Sequence, residues 1–169
     1  INNIPAASIG TLGIKFNNRT LKTNLTSPDT ISLHKNLQFI KKKKIDNVII
    51  ETSSHGLDQR RLHHIDFKAG IFTNLSQDHL DYHKTMKFYL NAKLILFKEI
   101  LKKKTTIISD KEIEPFHILK KIAKEKNLKL LDIENELEKI KNISGLTKTE
   151  FKSKNLAMAI KAVKLCGLS

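Results

Sequence analysis

Residues 45–61 read IDNVIIETSSHGLDQRR, an apolar run of strand length that ends abruptly in a polar cluster. The near-continuous hydrophobicity of IDNVIIE (45–51) is what a strand buried on both faces shows, and such strands belong to parallel sheets. A second run of this kind, FKAGIFTNL (67–75), leads into a second polar cluster, TNLSQDHLDYH (73–83). Upstream, AASIGTLGI (6–14) reads as a strand ending in a Gly-containing turn. After the turn signal Ser27-Pro28-Asp29, Leu33, Leu37 and Ile40 recur at helical spacing, and four lysines follow where a helix C-terminus favours cations. TTIIS (105–109) and LKLLDI (128–133) are further strands, and PFHILKKIAKEK (115–126) is a helix. SKNLAMAIKAVKLCGLS (153–169) closes as a helix, with Ser153 expected as N-cap and Gly167 as C-cap. Strand alternating with helix predicts an α/β fold, a mostly parallel sheet flanked by helices with right-handed crossovers. Residues 134–150 carry no clear pattern.

At 169 residues, 40% of them apolar, the chain is long enough for one domain with a real core. Its net charge of +14 comes almost wholly from lysine, much of it in the tracts 41–44 and 102–104; Arg19, Arg60 and Arg61 are the arginines. Lysines on solvated helix ends give solubility and weak attraction to polyanions, whereas specific base readout uses clustered arginine and exposed aromatics. No specific nucleic-acid partner is expected. The single Cys166 excludes an internal disulfide and a multi-cysteine metal knuckle, and it fits a reducing cytoplasm. No apolar run reaches membrane-spanning length, and INNIPAASIG has neither the basic nor the long apolar region of a signal peptide. Without an initiator Met, the chain is expected to begin inside a longer reading frame.

In open α/β sheets, ligands gather beyond the carboxyl ends of the strands. Both polar clusters fall there. ETSSHGLDQRR (51–61) offers carboxylate, hydroxyl, imidazole, amide and guanidinium groups; a strand-end carboxylate can hold Mg²⁺, and hydroxyls with arginine suit phosphate or carboxylate ligands. The plainer reading is a polar turn with Glu51 in a salt bridge. In the second cluster His79 and His83 have the i, i+4 spacing that can share a helix face. Against a metal role, Ser76 or Asp78 would simply cap the next helix. A zinc hydrolase lacks both an HExxH motif and a cysteine partner here.

A third feature lies in KTMKFYLNAKLILFKEILKK (84–103). On a uniform helical wheel Met86, Tyr89, Leu90, Leu96, Phe97 and Ile100 fall within roughly 60° of one direction, and Lys93 sits at the centre of that stripe. A buried ammonium is costly unless it is paired or chemically changed. Either Lys93 snorkels to the helix edge, or it loses its proton and adds CO₂. The carbamate so formed is an anion able to ligate Mg²⁺ beside Glu51 and His79.

Taken together, ETSSHGLDQRRL and AGIFTNLSQDHLDYHKTMKFYLNAKLILF resemble the central, ATP-binding domain of the Mur ligases. The resemblance is closest to the MurE type, which adds the third residue of the peptidoglycan stem peptide. The family pattern is E-V-S-S-H-[AG]-L-x-Q-x-R followed by F-T-N-L-[ST]-x-D-H-L-D-Y-H-x-x-M-x-x-Y-x-x-A-K-x-x-L-F. Weaker likeness runs through GTLG, LTSPDTISL and FKSKNLAMAIKAVKLCGLS, so the whole chain, 1–169, is expected to be a single partial Mur ligase central domain with a P-loop-NTPase-like fold incomplete at its N-terminus. The resemblance implies that Glu51 and His79 hold a Mg²⁺ and that Lys93 is the carbamylated lysine completing that site. It makes Thr26, Ser27, Ser53, Gln59 and Arg61 contacts to the UDP-MurNAc-dipeptide, and Asn155 a nucleotide contact. ATP and an amino acid are the other implied substrates, in a cytoplasmic ligase proceeding through an acyl phosphate.

The departures matter as well. No G-x-x-G-K-[ST] P-loop occurs in the chain, and the UDP-binding and amino-acid-selecting domains are expected to lie outside it, so these residues alone are expected to be inactive. Leu25 stands where the family has Asn, Thr52 where it has Val, and Ser109-Asp110-Lys111-Glu112 where it has an N-A-D-D turn. Two rival readings are a polyanion-binding module built on the lysine tracts and a metal-dependent hydrolase centred on the Asp/His cluster.

Overall fold

The structure, a computed structural model, describes residues 4–143 and 149–167. Residues 1–3, 144–148 (within the patternless stretch) and 168–169 (the end of the closing helix) lie outside the described residues. The fold is α/β, and the chain divides into two compact units, 1–65 with 79–95 and 66–78 with 96–169.

In the first unit, β1 (Ala6–Gly10) and β2 (Gly13–Phe16) form an antiparallel hairpin in which Ala7 pairs with Phe16 and Gly10 with Gly13. The strand and Gly-containing turn expected over 6–14 are present, and the second strand that follows the turn was not expected. β3 (Arg19–Leu21) adds antiparallel to β2; its three residues are all exposed, so no apolar alternation marked it in advance. β4 (Asn47–Ile50) lies parallel to β1, giving the order β3-β2-β1-β4. The crossover into β4 is α1 (Thr30–Lys42), whose N-cap Asp29 accepts from the Ser32 amide at 3.0 Å. That bond also holds the Asp29 carboxyl below its ordinary pKa. Leu33 and Ile40 of α1 are fully buried with Ile9, Ile45, Leu57 and Leu62, each side chain contributing about 1.5–3 kcal/mol by leaving water. β4 is the edge strand, and Ile49 is 63% exposed, so the expected burial on both faces does not hold for this strand.

In the second unit the strand within 67–75 is alternately buried, Gly70 and Phe72 fully and Ala69 and Ile71 in part. There β5 (Ala69–Phe72), β6 (Thr106–Ser109) and β7 (Lys129–Leu131) form an all-parallel sheet, and every residue of the central β6 is buried. α5 (Phe116–Lys126) ends on Asn127 in the left-handed conformation. The unclear stretch contains α6 (Glu134–Lys141), which packs on α7 (Glu150–Leu165) through Leu137, Ile140, Ala157 and Met158. Thr149, not Ser153, caps α7, accepting from the Lys152 amide; Ser153 lies one turn inside and donates back to the Thr149 carbonyl at 3.2 Å. Cys166 is the C-cap and Gly167 follows at φ +76°, the position a glycine suits.

The lysine-bearing segment is not one uniform helix. α4 (Met86–Ile95) is followed by a π-helical turn, Leu96–Ile100, closed by the Leu101 amide on the Leu96 carbonyl at 2.9 Å. Of the residues expected on the stripe, Tyr89, Leu96, Phe97 and Ile100 are buried and Met86 and Leu90 half-buried. In α4 the buried residues are Tyr89, Ala92 and Leu94, and Lys93 is half-buried beside them. No helix among the described residues is long and apolar enough to cross a membrane.

Candidate functional site

Glu51 is the first residue beyond β4. Its amide donates to the Ile9 carbonyl at 2.8 Å, extending the β1–β4 ladder by one bond, and its side chain turns over Gly10. The Glu51 carboxylate accepts from the Thr11 amide at 2.8 Å and from the Thr11 hydroxyl at 3.1 Å. Thr11 Oγ1 lies 3.0 Å from Thr26 Oγ1. A strand-end carboxylate, two hydroxyls and the turn between β1 and β2 thus form one oxygen-rich corner.

Ser27 is the hub on the inner side. It is wholly buried; its hydroxyl donates to the Glu51 carbonyl at 3.1 Å and accepts from the Ser53 amide at 2.9 Å. Ser53 caps the short helix α2 (Ser54–Asp58) through the Gly56 amide at 3.0 Å, and its hydroxyl also touches Ser27 Oγ. Gly56 must be small here: a Cβ would lie 2.6 Å from Ser27 Cβ. Arg61 spans the other side, donating to the Ser27 carbonyl at 2.8 Å and to the Gln59 side-chain oxygen.

From Gln59 the contacts run into a group of rings. Gln59 donates to the Tyr82 hydroxyl at 3.3 Å, and Tyr82 donates to Asp58 at 2.8 Å. The Tyr82 ring lies 4.2 Å from that of His55, which in turn lies 5.0 Å from His79 and 5.4 Å from His83. His79 stands in the left-handed conformation as the cap of α3 (Leu80–His83), without a side-chain cap bond from itself. His79 is the cap and not a helical residue, and its ring and that of His83 both lie against His55 and Tyr89. His83 is buried and bonded to Ser54 Oγ at 2.9 Å; burial first, and then neighbouring His55, push its pKa below the ordinary histidine value. The N-cap position of α3 is His79, where Ser76 or Asp78 was expected.

Tyr89 completes the group. Its ring lies 5.9 Å from His79 and 5.3 Å from His83, and the Lys93 ammonium sits 4.9 Å from its centroid. A half-buried lysine held over a tyrosine face is a cation–π arrangement. A continuous series of contacts therefore joins Thr26, Glu51, Ser27, Ser53, Arg61, Gln59, His79 and Lys93. The first unit holds them all.

Asn155 belongs to the second unit, half-buried near the start of α7. Its neighbour Lys154 is gripped by buried Asp110 at 2.7 Å and by Glu150 at 3.0 Å, which together push its pKa well up. Asp110 thereby ties the end of β6 to α7.

Residues 2–166 match the Mur ligase middle domain. The chain belongs to that family. Among sequence relatives of this middle domain is the UDP-N-acetylmuramoyl-L-alanyl-D-glutamate–2,6-diaminopimelate ligase of Bradyrhizobium diazoefficiens, 49% identical over 57% of this chain and 20% of the relative. The ligase of the same name from Anaplasma marginale is 39% identical over 72% of this chain and 26% of the relative. The chain thus spans about a fifth to a quarter of the curated relatives it matches. A solved structure of a ligase with that name superposes with a TM-score of 0.79 over 98% of this chain and 38% of the other, at 23% identity, which establishes the shared fold.

Thr11, Ser54, His55 and Tyr82 were given no individual role by the sequence; His83 was read only as a partner of His79, and Tyr89 only as a core residue. The signal for Thr11 was present in the Gly-Thr step directly after a strand. The rings were visible only as members of a polar cluster, because which of them stack depends on how α2, α3 and α4 meet.

Proposed function

We propose that this middle domain is part of an ATP-dependent ligase that joins the third amino acid to UDP-MurNAc-L-Ala-D-Glu in peptidoglycan synthesis, in the cytoplasm. The observation that carries this reading is the continuous contact series from Thr26 and Glu51 through Arg61 and the ring group to Lys93. It links, within one compact unit, residues that the family pattern separates along the chain. In the proposed reaction a substrate carboxylate attacks the γ-phosphate of ATP, releasing ADP and forming an acyl phosphate. The incoming amine then displaces phosphate and loses a proton to form the amide. Thr26, Ser53, Gln59 and Arg61 hold the UDP-MurNAc-dipeptide, with Ser27 beneath them, and Asn155 meets the nucleotide.

The donor chemistry at the β4 end suits Mg²⁺: a carboxylate on a strand end, with hydroxyl oxygens beside it. Among the described residues no three His, Cys, Asp or Glu side chains form a ready-made metal cage. A site built on Glu51 and His79 would take its further anionic ligand from Lys93 as a carbamate. The ion would offset the charge gathered between phosphates and carboxylate. The sequence contains no G-x-x-G-K-[ST] P-loop, and no ligation is expected of these 169 residues alone.

The test begins with Lys93. With ¹³C-bicarbonate and Mg²⁺, the chain should show a carbamate carbon resonance that Lys93→Arg removes; a spectrum unchanged by that substitution refutes the carbamate. In the full reading frame, ATP-dependent formation of UDP-MurNAc-tripeptide should be lost in Glu51→Gln and Arg61→Ala. Product formation unaffected by both would refute the assigned site.

A further inference from the structure

Glu51 follows β4 directly, with its side chain folded back over the neighbouring strand rather than projecting freely. Three features fix it there. The Thr11 amide donates to one carboxylate oxygen at 2.8 Å and the Thr11 hydroxyl donates to the other at 3.1 Å, a two-point grip from a single residue. Gly10 leaves the space the carboxylate occupies, since a Cβ there would lie 2.4 Å from Oε2. The third feature follows from counting protons. A threonine hydroxyl has one proton, and a carboxylate only accepts. Thr11 spends its proton on Glu51, so the bond between the Thr11 and Thr26 hydroxyls, 3.0 Å long, must be donated by Thr26. Thr26 to Thr11 to Glu51 is then a directed series of donors, each orienting the next.

We propose that Thr11 is a positioning residue for Glu51: its amide and hydroxyl hold the carboxylate in one rotamer, with the remaining lone pairs turned toward the ligand side of the corner. The proposal rests on the reading of Glu51 as a cation ligand for its functional consequence, but the positioning itself is a property of the chain alone. An exposed glutamate on a loop edge samples several rotamers, and confining it lowers the entropy lost when it takes up a cation. Outer hydrogen bonds of this sort orient metal ligands in many sites. The turn that supplies Thr11 is fixed by the Gly10–Gly13 pair of the β1–β2 hairpin, so sheet geometry sets where the hydroxyl stands.

The experiment uses the full 169-residue chain and compares it with Thr11→Val, which keeps the shape and loses the hydroxyl, and Thr11→Ser, which restores it. Three-bond NMR couplings about Glu51 χ1 and χ2 report the rotamer without any metal. They should show a single rotamer in the parent chain and in Thr11→Ser, and averaging in Thr11→Val, with the melting temperatures of all three alike. Couplings that stay fixed in Thr11→Val, or average in Thr11→Ser, overturn the proposal. Mn²⁺ affinity, read by EPR, is the second arm: Thr11→Val should weaken it about tenfold and Thr11→Ser should recover it. Glu51→Gln separates the two ideas. If it binds Mn²⁺ as tightly as the parent chain, Glu51 is not the ligand, and the couplings still decide for or against Thr11.

Discussion

The Arg61 guanidinium donates to the Ser27 main-chain oxygen at 2.8 Å across 34 residues of sequence, tying the end of α2 to the segment that enters α1. Ser27 has no exposed surface, so water cannot replace that donor. Arg61→Ala should therefore destabilise the fold by roughly 1–3 kcal/mol, the cost of a buried carbonyl left unmet. Arg61→Lys should lie between, because a single ammonium cannot reach both the Ser27 carbonyl and Gln59. Urea midpoints for the three proteins check this. A loss below about 0.5 kcal/mol for Arg61→Ala would show that the bond is not structural.

Gly10→Ala tests the seat of Glu51 from the opposite side. Its Cβ would meet Glu51 Oε2 at 2.4 Å and Glu51 Cβ at 2.9 Å, and the second contact cannot be relieved by rotating the carboxylate. Overpacking of this kind costs about 1–3 kcal/mol. The Thr11 amide proton should also shift upfield as its carboxylate partner leaves. An unmoved amide resonance would mean that the carboxylate had not been displaced.

The α/β class, α1, the strand ends and both polar clusters were legible because burial and helical spacing repeat locally in the sequence. What escaped depended on partners. β3 pairs through its backbone while its side chains face water, so nothing in Arg19-Thr20-Leu21 announces a strand. Thr149 outcompetes Ser153 as a cap because the helix begins one turn earlier, where sequence alone showed only Lys-Thr-Glu. The π-helical turn at Leu96–Ile100 was hidden for a different reason: it is a change of pitch that a uniform wheel cannot anticipate. Even so, the wheel drew notice to Lys93, which proves to be half-buried over Tyr89. Ser27 was legible as a residue but not in its setting, since its hydroxyl is committed to Glu51 and Ser53 below the surface.

His83 makes a pH dependence. Burial, then the neighbouring His55, depress its pKa below 6.5, outweighing the nearby Asp58 and Asp81; His79 adds to the depression. The unfolded chain binds the proton first, so this group's contribution is present above pH 6.5 and is lost as pH falls through the folded value. NMR titration should place the His83 midpoint below 6.5, and His83→Gln, which can still bond Ser54, should flatten the stability profile below that pH. A midpoint at or above 6.5 contradicts the assignment.

Glu136 makes the second, at lower pH. It is buried on α6 between Lys161 and Lys164 of α7, at 2.8 Å and 3.1 Å. Burial by itself would raise its pKa, yet the two ammonium hydrogen bonds prevail and hold it below the ordinary 4.5. The stability it confers is complete above 4.5 and disappears as pH falls through the folded value. Lys161 is mostly buried and Lys164 about half exposed, so the loss in Glu136→Gln at neutral pH should be roughly 1–3 kcal/mol, between the values for exposed and buried pairs. The same variant should lack the parent's extra acid sensitivity below pH 4.5. Lys161→Met should be the more damaging of the two lysine substitutions, because it leaves the carboxylate with only the more solvated partner. Equal losses from Lys161→Met and Lys164→Met would show instead that solvent, not the depth of the pair, sets its strength.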